Sequence, residues 1–209
     1  MNKLLTIALM TISSSLFSQD QVAKEILDKV KAKTESYKNI TIDFDFIFEN
    51  ISQNITDTQK GVLILEGDNF RLEMEGQIII NNGETQWVYL KDMNEVQVME
   101  HDPEDEMMSP NKLFMIYEAG YKYSYIGTEN NGNKSLYIID LFPEESGTFM
   151  KISLKIDTKK NQLENIKIFD KNGGTYSYKT NTFTTNSSEL TPFRFNLSDY
   201  PNVEIIDLR

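Results

Sequence analysis

The sequence has no cysteine and only one histidine among its 209 residues. Without cysteine it can form no disulfide, no thiolate metal site and no lipid-modified N-terminal cysteine. A single histidine leaves little material for a nucleophile paired with a base, or for a metal with several ligands. That residue, His101, stands in the run HDPEDE. A metal there would have to combine it with Asp102, Glu104, Asp105 or Glu106, but the spacing of a calcium loop is missing and the run reads as a solvated acidic loop. The nucleophile elbow, the P-loop and the dinucleotide fingerprint are missing too. Paired carboxylates carry no specificity in a chain with 32 acidic residues, since some pair can always be chosen. No catalytic residue, metal or cofactor is therefore assigned, and the chain reads as a protein other than an enzyme.

Positive charge is also scarce, with 21 Lys and Arg against 32 Asp and Glu and a formal net charge of −11. Such a surface repels nucleic acid and anionic head groups and favours cationic partners. Tyr121, Tyr123 and Tyr125 alternate with one lysine, Lys122, which is too little basic charge for a nucleic-acid-binding sheet. Long apolar runs are lacking as well. The only candidate is residues 4–10 in MNKLLTIALMTISSSLFSQ, far shorter than the roughly 20 residues a membrane helix needs. A lysine before it and a Ser/Thr stretch after it make residues 1–18 a signal peptide, cut near Ser18 or Gln19. Residues 19–209 are then expected to form one soluble, acidic domain.

What is present is periodic. Over residues 20–37, Val22, Ala23, Ile26, Leu27 and Val30 recur at steps of three and four with lysines between them, which predicts an amphipathic helix. From there on the period is two. Strands are expected at the phenylalanine run 44–48 and at 61–66, 70–75, 78–81, 85–90, 95–99, 121–127, 135–142, 150–157, 163–170 and 176–184. Short Asn- and Gly-rich turns between them, such as 66–69, 81–83 and 171–174, predict antiparallel neighbours in a meander of about eleven strands. Residues 101–121 interrupt this pattern with a short helix in which Ser109 caps, Pro110 opens and Gly120 stops. Its apolar side must be buried against one face of the sheet.

The hairpin RLEMEGQIIINNGETQWVYL, residues 71–90, is apolar on both sides of its second strand. A curved sheet with two helices leaves a large apolar face, which is either closed by helices or filled by a ligand.

The runs GVLILEGDNFRLEM, IIINNGETQWVYL, NEVQV, SPNKLFMI and FRFNLSDYPNVEIIDLR, in this order, resemble the periplasmic outer-membrane lipoprotein carriers, the LolA-like proteins. The resemblance implies an unclosed antiparallel β-barrel of eleven strands, lidded by helices over an apolar cavity that holds lipoprotein acyl chains. It implies a cavity lined by Phe70, Leu72, Met74, Trp87 and Tyr89. The lid would comprise Ile26 and Val30 of the first helix with Leu113, Phe114, Met115 and Ile116 of the mid-chain helix. Where proteobacterial members carry a basic residue and a proline before the cavity strand, this chain has Glu66, Gly67 and Asp68, and their lid-controlling arginine has no clear counterpart. The implied partners are acylated lipoproteins, an inner-membrane lipoprotein-releasing ABC transporter and an outer-membrane acceptor, served by a monomeric carrier. Alternatives are a half-barrel sensor or regulator, or a carrier of another lipid or amphiphile.

Overall fold

The structure, a computed structural model, describes residues 10–101, 120–145 and 147–209, with residues 10–19 and Asn131 described by backbone only. The mid-chain helix expected around Leu113, Phe114, Met115 and Ile116 lies outside the described residues.

Among the described residues one α-helix, α1 (Met10–Glu35), precedes twelve strands: β1 (Ile40–Asn50), β2 (Ile55–Glu66), β3 (Asn69–Met74), β4 (Gln77–Asn81), β5 (Thr85–Leu90), β6 (Glu95–Glu100), β7 (Tyr121–Asn131), β8 (Lys134–Pro143), β9 (Phe149–Asp157), β10 (Gln162–Asp170), β11 (Gly174–Thr185) and β12 (Glu204–Asp207). The helix extends across residues 18 and 19, where the sequence suggests cleavage. Among the described residues, no helix is long and apolar enough to cross a membrane.

All twelve strands form one sheet, ordered β12-β6-β5-β4-β3-β2-β1-β11-β10-β9-β8-β7. It consists of two antiparallel meanders, β1 to β6 and β7 to β11, fused where β1 pairs with β11. Strands β7 and β12 form the two ends and do not pair with each other, so the sheet is an open barrel. The turns follow local chemistry. Asn94 and Asn161 adopt left-handed backbone (φ 49° and 50°), which asparagine tolerates because its short side chain can bond locally.

Two departures from the expected strands have physical causes. β2 begins at Ile55 and not at 61, because ITDTQK has little alternation of its own and is held as a strand by its register with β1. β12 is an added twelfth strand, and it pairs in parallel with β6, from Glu204 beside Glu95 to Asp207 beside Val98. Four residues with one long-range partner leave no periodic signal.

Register sorts the side chains onto two faces, since directly opposed residues point the same way. Ile40, Ile42 and Phe44 of β1 oppose Leu65, Leu63 and Gly61 of β2, which in turn oppose Phe70, Leu72 and Met74 of β3. This inner face continues through Ile166 and Ile168 of β10, Leu154 and Ile152 of β9, and Ile139 and Leu141 of β8. The helix α1 packs across β7 and β10 and closes that half with Ala23, Ile26, Leu27 and Val30, all at most 6% exposed. The outer face of the same half is polar and laced by ion pairs, including Lys151 to Asp140 (2.6 Å) and Lys155 to Glu129 (2.7 Å).

Candidate functional site: the inner face of the open barrel

Beneath α1 the inner face is packed shut. A gap of only about 10 Å³ remains there, lined by residues that include Tyr37, Ile40, Leu65, Leu163 and Phe183. Away from the helix the packing loosens. Phe46, Met74, Ile79, Tyr176 and Tyr178 are half-buried and packed against the core, and Val88 and Leu90 of β5 share their face and their partial exposure. The aromatic members interlock across the β1/β11 pair, with ring centroids 5.2 Å apart for Phe46 and Tyr178 and 5.1 Å for Phe48 and Tyr176. Burial raises the Tyr178 hydroxyl pKa above the ordinary tyrosine value, aided by Tyr176, and burial does the same to Tyr121. Both inner-face hydroxyls therefore stay neutral. The result is an uncharged, partly open apolar surface beside a helix held by aliphatic side chains.

The residues expected to form the cavity do not all lie together. Phe70 (1% exposed) and Leu72 (9%) are inner-face residues inside the packed core, while Met74 stands at its open margin. Trp87 and Tyr89 lie on the opposite, outer face, beside Ile80, Ile78, Val96 and Val98. The five expected residues are thus split between two faces: β5 alternates, its inner positions are Gln86, Val88 and Leu90, and Trp87 and Tyr89 stand on the face opposite to that of Phe70. Ile26 and Val30 of the expected lid are buried against the inner face; the other lid residues lie outside the described residues.

The outer face around Tyr89 has a structural cover of its own. After β11, Asn186 and Ser187 turn at the buried Asn39, whose Oδ1 accepts from Ser187 N (2.8 Å) and whose Nδ2 donates to Ser187 O (3.1 Å). The chain then lies over Tyr89, with ring centroids 5.6 Å away at Phe195 and 4.5 Å at Tyr200. Tyr89 Oη donates to Asn94 Oδ1 (3.0 Å), and Asn94 Nδ2 donates to the carbonyls of Pro201 and Asn202. The Trp-x-Tyr hairpin and the phenylalanine-rich C-terminal segment are thus linked by packing.

Sequence reasoning missed Phe46, Ile79, Val88, Leu90 and Tyr178 as site residues. For β1 the alternation of Phe44, Phe46 and Phe48 was a sufficient signal, but which of its faces would remain open was not visible. Among the described residues no three His, Asp or Glu side chains come together to hold a metal ion. His101 Nδ1 accepts from Nδ2 of the buried Asn81 (2.6 Å), and the acidic residues after it lie outside the described residues.

These features define an open antiparallel half-barrel with an apolar inner face and one helix packed against it. Residues 35–198 match the family described as outer membrane lipoprotein carrier protein LolA, and the chain belongs to that family. Among solved structures it is similar to an uncharacterized conserved protein from Thermus thermophilus, at 12% identity over 89% of this chain and 99% of that one, with a TM-score of 0.57. It is also similar to LprF from Mycobacterium bovis, at 10% identity over 84% and 99% of the two chains, with a TM-score of 0.52. At these identities the likeness is one of fold. No curated protein sequence matches the chain significantly.

Proposed function

We propose that the protein is a periplasmic carrier that shields the acyl chains of lipoproteins on its inner face and moves them from the inner to the outer membrane. Exposing acyl chains to water costs about 0.8 kcal/mol per methylene, so a lipoprotein needs equivalent burial to cross an aqueous space. The observation that carries this reading is the half-exposed inner surface of Phe46, Met74, Ile79 and Tyr178 next to a helix held by aliphatic contacts. Those contacts are non-directional, so α1 can exchange them for acyl chains and take them back on release. Met74 suits loose binding, because its flexible side chain adapts to irregular apolar shapes. The work is transfer, with no bond made or broken.

In this reading residues 1–18 are removed on export and residues 19–209 act as a monomer. An ABC transporter of the inner membrane supplies the cargo, and an acceptor at the outer membrane takes it. Loss of Lys3 with the signal peptide takes the formal net charge from −11 to −12, which suits basic docking patches on both. The test is native mass spectrometry of protein purified from a bacterial periplasm, with extraction of whatever is bound. Co-purified acylated lipoprotein is the expected result. Free phospholipid alone would make the protein a carrier of another amphiphile, and a protein that stays empty with added lipoprotein would refute acyl binding.

A further inference from the structure

β2 spans Ile55–Glu66, but β3 pairs only with its second half, from Glu66 beside Asn69 to Gly61 beside Met74. Residues 55–60 pair with β1 on one side and, among the described residues, with no strand on the other. Alternate residues of such a segment turn their N–H and C=O groups to the open side. Among the described residues no hydrogen bond reaches those groups. A recess of about 420 Å³ lies beside them, lined in part by Thr58, Gln59, Lys60, Gly61, Met74 and Lys91. It is the space left where β3 stops at Met74 and the chain turns back into β4.

The other open edges are blunted. β7 carries a bulge between Tyr125 and Gly127, residues 180–185 of β11, which among the described residues pair with β1 alone, carry one at Asn181, and β12 is four residues long with Glu204 and Asp207 at its ends. The 55–60 segment runs in unbroken register with β1, spanning roughly 20 Å at the usual rise of a strand. It also borders the apolar site: Gln59 sits opposite Phe46, and Gly61 opposite Met74, on the inner face.

We propose that the open edge of β2 binds, as an added strand, the extended peptide that follows the acylated residue of a cargo whose acyl chains lie on the inner face. This rests on the acyl-carrier reading and deepens it. Strand addition draws its affinity from main-chain hydrogen bonds, so it accepts tethers of differing sequence, as a carrier of several cargoes requires. A second copy fits the edge poorly: paired antiparallel on 55–60, its Ile51–Gln53 turn would run into the β3–β4 turn.

The test uses the mature protein and two synthetic probes, an S-dipalmitoylglyceryl-cysteine peptide with a Ser/Thr-rich tail and the same molecule with every tail amide N-methylated. The N-methylated probe is expected to bind at least about tenfold more weakly, since it cannot donate to the edge. Amide exchange at residues 55–60 is expected to slow with the unmethylated probe alone. Equal affinities with unprotected 55–60 amides would overturn the edge proposal and leave acyl binding standing. Failure of both probes and of dispersed dipalmitoylglycerol to bind would overturn the carrier reading and this inference with it. Protection of 55–60 that grows with protein concentration and needs no probe would assign the edge to a second copy.

Discussion

The ring of Phe44 lies directly over Gly61 of the neighbouring strand, and a Cβ at Gly61 would overlap it. A glycine in mid-strand weakens the strand locally, but here its missing side chain lets an aromatic ring cross β2 toward β3. Gly61→Val is expected to cost about 1–3 kcal/mol in urea unfolding through overpacking. Adding Phe44→Leu to that variant should return part of the loss, and a double-mutant cycle would show coupling between the two sites. Additive effects would mean that the ring contact is not what makes Gly61 necessary.

Tyr89 packs against the C-terminal segment on the outer face, away from the proposed acyl site. Tyr89→Phe removes only the hydrogen bond to Asn94 and should cost about 0.5–1.5 kcal/mol. Tyr89→Ala also removes the ring contacts to Phe195 and Tyr200 and should cost more. Faster proteolysis and amide exchange over residues 190–203 are the readouts, while uptake of a fluorescent fatty acid is expected to stay at the wild-type level.

Acyl binding should fail when charge is placed on the open part of the inner face. Met74→Glu and Ile79→Glu are expected to weaken fatty-acid binding by at least about tenfold with the circular dichroism spectrum preserved, because both positions are half-exposed. Phe70→Glu should instead unfold the protein, since Phe70 is 1% exposed. Thermal melts on the three variants separate the two outcomes.

Tyr178 and Tyr121 have pKa values raised by burial. A group that keeps its proton more firmly when folded contributes stability that is complete below its unfolded pKa, near 10, and is lost as pH rises through the folded value. Stability should therefore fall above about pH 10, and Tyr178→Phe should flatten that fall. Absorbance titration near 295 nm should show Tyr178 and Tyr121 ionising above the ordinary tyrosine value, with the late component reduced in Tyr178→Phe. At the acid end Asp207 is lowered to about 2 by its hydrogen bonds from Arg209. Its contribution is present above the unfolded carboxylate value and fades as pH falls toward about 2. Asp207 is fully exposed, so Asp207→Asn should barely change the acid limb.

Much of the fold was readable because it is local. The strand-like run Thr85–Leu90 after an Asn-Asn-Gly turn placed β5 with its observed bounds and the alternation of its side chains, and steps of three and four placed Ile26 and Val30 on the buried side of α1. The same alternation required Trp87 and Tyr89 to share a side, but which face of β5 turned inward depended on the register through β2, β3 and β4. That register put Val88 and Leu90 inside and left Trp87 and Tyr89 to the C-terminal segment.

By itself the sequence determined a mostly antiparallel β domain with a leading helix and strands that are apolar on one or both faces. Composition and period depend only on neighbouring residues, and they survive without a partner. The tertiary structure alone decided that β1 joins two meanders, that residues 55–60 are held by β1 and left open on their other edge, and that β12 adds in parallel to β6. Those features are pairings between residues far apart in the chain. Their free energy appears only once the whole sheet brings both partners together, and no short window of sequence contains both.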